Sequence, residues 1–181
     1  RKNIKRLSKK YGGLIGGGKE GKVGYNITMV IAYIREFFVP QGILGETLET
    51  AVPWSKINQV KDEANKLLIE LHKKYNLPGK PFFCSRVSKV YHSGICMYNT
   101  VAINVRGIDK PDEVFSKIEH ALRDCFIKNG GSISHHHGVG KLRKDFMQDT
   151  ISGGSIEMIQ NIKNSQDPNN IFGIKNNIVS D

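Results

Sequence analysis

An α+β fold, with an antiparallel sheet covered by helices on one face, is what this sequence predicts. Two observations carry that reading. Between residues 42 and 137 the chain reads strand, helix, strand, strand, helix, strand, the split βαβ order of a ferredoxin-like domain. The two helical stretches each gather their apolar residues on a single face, as helices packed on one side of a sheet do.

The elements follow in order. Residues 1–11 have helical composition and stop at Gly12-Gly13, while the glycine-rich stretch 12–24 predicts a loop. Residues 27–39 favour a helix by length and by the polar break at Arg35. ILGETLETAVP (43–53) alternates as a strand and ends at Pro53. The next segment sets Ile57, Val60, Ala64, Leu67, Leu68 and Leu71 at helical spacing, with Ser55 as its expected N-cap. NLPGKP (76–81) breaks the chain. FFCSRVSKVY (82–91) and ICMYNTVAINV (95–105) read as strands about an HSG turn. Cys96, Tyr98, Thr100 and Ile103 do not keep one parity, which calls for a bulge or for burial on both faces. Residues 112–128 align Val114, Phe115, Ile118, Ala121, Leu122 and Cys125 on one helical face and end at Asn129-Gly130-Gly131. SISHH then reads as a short fourth strand. A short helix near 141–149, a glycine break at Gly153-Gly154, a helix near 155–164 and the tail DPNNIFGIKNN complete the chain.

Composition narrows the class. The chain has 181 residues, 39% of them apolar, and a formal net charge of +10. That balance favours anionic partners: nucleic acid, a membrane surface or phosphorylated small molecules. ITMVIAYI, the most apolar stretch, is too short to span a membrane. Cys84, Cys96 and Cys125 are scattered, with no C-x-x-C, which argues against a zinc site or a disulfide framework. The start at Arg1, without Met, fits a piece of a longer protein, so any address on the true N-terminus is not seen.

Two motifs and two single residues merit weighing. Gly13 to Lys19 matches G-x-x-x-x-G-K, yet Glu20 stands where a phosphate loop needs Ser or Thr, and no apolar strand precedes it. A flexible glycine loop is the better reading. SHHHGVGKLRK (134–144) joins three histidines, Gly138 and Gly140, and the cations Lys141, Arg143 and Lys144. In an extended segment His135 and His137 share a face and His136 opposes them. No H-E-x-x-H or nearby carboxylate supports a metal, and an internal run is no purification tag. The run reads as acid–base imidazoles beside an anion-friendly helix start, or else as a polar surface turn. Tyr98 carries an acid–base hydroxyl but also suits a core. Arg35 interrupts an apolar run and needs an anionic partner, local by default.

HHHGVGKLRK, together with VIAYIREF, LGETLETAVPW, CSRV and DPNNIFG, resembles the alkyldihydroxyacetonephosphate synthase family, within the FAD-linked oxidases of the vanillyl-alcohol oxidase superfamily. The likeness runs from about Gly12 to Asn177. It implies a flavin enzyme whose N-terminal FAD-binding domain is not in this sequence, with a cap built on a ferredoxin-like sheet at 42–137. Residues 1–41 and 138–181 would then pack toward the flavin domain. The implied reaction exchanges the acyl chain of acyl-dihydroxyacetone phosphate for a long-chain fatty alcohol, making an ether bond with no net flavin redox change. The resemblance makes Tyr98, His135, His136 and His137 catalytic. It gives Arg35 the substrate phosphate and leaves Lys141 and Arg143 as candidate anion contacts, with no metal. It further implies FAD as cofactor, no activity for this stretch alone, a homodimer, peripheral membrane association, no nucleic-acid partner, and a peroxisomal or glycosomal location. Two other readings stay open: the cap of an FAD-dependent 2-hydroxy-acid dehydrogenase, and a basic RNA-binding ferredoxin-like module.

Overall fold

The computed structural model describes residues 2–173. The end of the predicted tail, from Ile174 through the final VSD, lies outside the described residues. The chain divides into two compact units, at 2–41 and from 42 onward.

The first unit is helical: α1 (Lys2–Lys10) and α2 (Gly18–Phe38). The predicted glycine loop is shorter than expected, because α2 starts at Gly18 rather than after Gly24. The reason is Glu20, whose carboxylate accepts the Gly17 N–H at 2.6 Å and so satisfies a free donor at the helix start. Backbone hydrogen bonds hold the Glu20 carboxyl below its ordinary range. The residue that disqualified a phosphate loop is therefore a helix cap. Tyr25, Met29, Val30, Tyr33 and Phe37 are all exposed on α2.

The second unit holds the sheet. Strands β1 (Ile43–Pro53), β2 (Phe82–Val90) and β3 (Gly94–Asn104) pair antiparallel in the order β1-β3-β2. Helix α3 (Ile57–Lys74) follows β1 and α4 (Pro111–Lys128) follows β3. The core joins Leu48 and Val52 of β1 and Ile95, Met97, Val101 and Ile103 of β3 to Val60, Ala64 and Leu68 of α3. Ile118, Leu122 and Phe126 of α4 complete it. Because strand side chains alternate, Glu49, Cys96 and Tyr98 leave the sheet on the face away from these helices. Beyond α4 come the single turn α5 (Gly140–Arg143) and α6 (Gly153–Gln166).

The expected α+β architecture is present, and three local expectations are corrected. SISHH forms no strand: it lies along the free edge of β1 with one backbone bond, Ser132 N–H to Ala51 O at 3.0 Å. The N–H groups that would extend the ladder turn instead to the Glu49 side chain. Ser55 does not cap α3, which is entered through a 3₁₀ turn at Trp54–Lys56. Of the two alternatives for residues 95–105, burial on both faces holds: β3 is regular, and none of its residues is exposed. A register shift does occur in β2, between Val87 and Lys89. Gly153-Gly154 is not a break but the first turn of α6, because the Ser152 hydroxyl accepts the Ser155 N–H.

Candidate active site

The open face of the sheet carries the chemistry-bearing side chains. Glu49 and Tyr98 stand directly opposite each other on β1 and β3. Glu49 is 3% exposed. Its Oε1 accepts the N–H groups of His135 at 2.6 Å, His136 at 2.5 Å and His137 at 2.6 Å, and the Ser134 hydroxyl at 3.0 Å. Its Oε2 pairs with His136 Nδ1. Burial pushes this carboxyl up; the N–H groups of His137, His135 and His136 and the Ser134 hydroxyl outweigh burial and hold it near 2. It is a permanent anion at neutral pH.

Three consecutive N–H groups can meet one oxygen only if the backbone curls around it. The predicted alternation of the histidines is therefore lost. His136 stacks on Tyr98, with centroids 6.0 Å apart and planes 18° apart, and His137 meets the same ring edge-on at 5.6 Å. His135 points elsewhere: its Nε2 lies 2.5 Å from the Tyr91 hydroxyl and its Nδ1 3.0 Å from His136 Nδ1. Burial pushes the His137 imidazole down, with His136 and Arg143 adding to this and Glu49 opposing it. His137 is thus neutral at pH 7, able to take a proton.

After the histidines, Gly138 and Gly140 adopt φ of +76° and +55°, the left-handed region that glycine enters without strain. Of the two candidate anion contacts, Lys141 is exposed. Arg143 is buried and its Nη1 donates to Gly138 O at 3.1 Å. It lies within the field of the buried pair Glu119–Arg123, whose side chains meet at 2.5 Å. A one-turn α5 offers little dipole to an anion. Arg35 sits exposed near the end of α2, in the other unit.

Sequence reading missed two residues. Glu49 passed for one more polar residue of an alternating strand; its partners lie 86 to 88 residues away. Arg86, inside the CSRV block, is opposite Tyr98 in the β2–β3 register, and its guanidinium carbon lies 4.6 Å from the Tyr98 ring centre. Ligand atoms of Glu49, Cys96, His135 and His136 fall within 4.8 Å of one another, so among the described residues these four could hold a metal. The carboxylate at their centre is already engaged by backbone, hydroxyl and imidazole donors.

A profile of the FAD linked oxidases, C-terminal domain, matches residues 21–174. The chain belongs to that family. Among named relatives, the alkyldihydroxyacetonephosphate synthase of Caenorhabditis elegans is 39% identical over 173 residues, covering 96% of this chain and 29% of that protein. The Dictyostelium discoideum protein of the same name is 26% identical over 155 residues, covering 86% and 25%. A solved alkyldihydroxyacetonephosphate synthase aligns with a TM-score of 0.54 at 20% identity, over 77% of this chain and 22% of that one, a likeness of fold. The chain spans less than a third of the length of these relatives.

Proposed function

We propose that this chain is the C-terminal part of a flavin-dependent transferase that replaces the acyl chain of acyl-dihydroxyacetone phosphate with a fatty alcohol. The observation that carries the reading is the convergence of Tyr98, His136 and His137 on one face of the sheet, in a chain 39% identical to a synthase of that name. FAD suits this face. Imidazoles and a phenol are flat groups with hydrogen-bonding edges, which a flavin ring system can lie against. When bound, a flavin would supply an electron-accepting centre beside Tyr98, His136 and His137.

The chain's own residues handle protons and charge. The incoming alcohol must lose a proton as its oxygen bonds to carbon, and the departing fatty acid leaves as a carboxylate. His137, its imidazole pushed down by burial, is the neutral base that can take that proton. His136 stands beside it within ion-pair distance of Glu49, and the Tyr98 hydroxyl relays or orients. Arg35 holds the substrate phosphate as a two-pronged donor. Residues 1–41 and 138–181 pack against the FAD-binding portion, and the protein works as a homodimer at a peroxisomal or glycosomal membrane surface.

The test is ether-bond formation from fatty alcohol by the full-length, FAD-loaded protein. Tyr98→Phe and His136→Ala should each abolish it while FAD binding persists. Wild-type turnover in both variants would overturn the assignment. The 181-residue chain alone should show neither turnover nor flavin colour.

A further inference from the structure

We propose that Glu49 is the positioning residue of this site: its buried carboxylate shapes the backbone of residues 134–137 so that the rings of His136 and His137 meet Tyr98. The inference rests on the transferase reading above for its catalytic consequence, and on geometry alone for the anchoring.

Glu49 and Tyr98 leave adjacent strands in direct register, so the anchor and the ring it serves are fixed by the same ladder. One carboxylate oxygen accepts four donors from four successive residues. Without it three consecutive backbone N–H groups at the free edge of β1 would lose the acceptor they share. A loop that went straight would carry alternate rings to opposite faces, and only some of them could reach Tyr98. The second oxygen lies within ion-pair distance of His136 Nδ1 and keeps that ring close to the anchor. Arg143 secures the far end of the turn through Gly138 O.

Glu49→Gln tests this in the full-length FAD-loaded protein. The amide is isosteric and keeps one acceptor oxygen for the four loop donors, but it removes the charge that strengthens those bonds and sets an NH2 where Oε2 faces His136 Nδ1. Hydrogen exchange at the His135–His137 amides should speed up by at least about tenfold while the β1–β3 ladder stays protected. Turnover should fall by about tenfold to a hundredfold at near-constant KM and FAD content. The acid limb of the pH–rate profile should move to lower pH, because His137 loses a nearby negative charge. Unchanged exchange with an unmoved profile would overturn the proposal. A loosened loop in Glu49→Gln together with wild-type turnover in Tyr98→Phe would uphold the anchor and sink the transferase reading instead. Should Glu49→Gln lose ladder protection, Ser134→Ala removes one donor of the four; it should give a smaller rise in exchange, and no rise would count against the anchor.

Discussion

The guanidinium of Arg86 lies over the ring of Tyr98, 4.6 Å from its centre, because the two residues face each other across β2 and β3. The same ring is met by His136 and His137. A phenol flanked by cationic and imidazole neighbours is held in one orientation by contacts from two strands and a loop. Arg86→Met keeps the aliphatic bulk and removes the charge. It should destabilise the sheet unit by about 0.5 to 1 kcal/mol, the worth of an exposed cation–π pair, read as a lower urea midpoint. Turnover in the full-length enzyme should drop further than stability does if the ring must stay aligned.

Acid should loosen the histidine loop before it melts the sheet. Glu49 has a folded-state pKa near 2 against an ordinary 4.5, so its stabilisation is complete above about pH 4.5 and disappears as pH falls through 2. The shift corresponds to about 3 kcal/mol. His137, held down in the folded state, binds its proton more readily when unfolded, so it also costs stability as pH drops below its ordinary 6.5. Unfolding free energy measured from pH 7 to pH 2 should therefore fall, and Glu49→Gln should flatten the part below pH 4.5.

The buried Glu119–Arg123 pair, at 10% and 5% side-chain exposure, sits beside Arg143. Glu119→Gln leaves the buried Arg123 guanidinium without its carboxylate and removes a favourable charge near Arg143. A loss of about 3 to 5 kcal/mol is expected, seen as a large fall in melting temperature. Arg123→Met on top of it should restore part of that loss.

Gly138 is a test of backbone conformation free of packing effects, because a Cβ there would meet no atom within 4 Å. Gly138→Ala should cost about 1 to 2 kcal/mol from its φ of +76° alone. It should also reduce activity in the full-length enzyme by disturbing the turn that follows His137, with FAD binding retained.

Much of the fold was legible in the sequence. Helical spacing of Val60, Ala64 and Leu68, and the alternation of residues 43–53, come from local periodicity, and local periodicity is written along the chain. β1, α3, β2, β3 and α4 follow from it within a few residues. The missing fourth strand, the helical start at Gly18 and the cap at Ser152 were misread because each depends on where one side-chain oxygen finds a backbone N–H. Glu20, Ser152 and Glu49 make such bonds, and residue type alone does not announce them.

The site divides along the same line. By itself the sequence determined which groups are present: three imidazoles, a strand tyrosine and a glycine turn, in blocks that resemble a flavin transferase family. Only the tertiary structure decided that His136 and His137 meet Tyr98, that His135 pairs with Tyr91, and that Arg143 is buried against Gly138 O. It also revealed Glu49 and Arg86. These relationships arise from strand register and from a hydrogen-bond network spanning more than 80 residues. Periodicity can place a side chain on a face of its own element, but only pairing between elements determines what that side chain meets there.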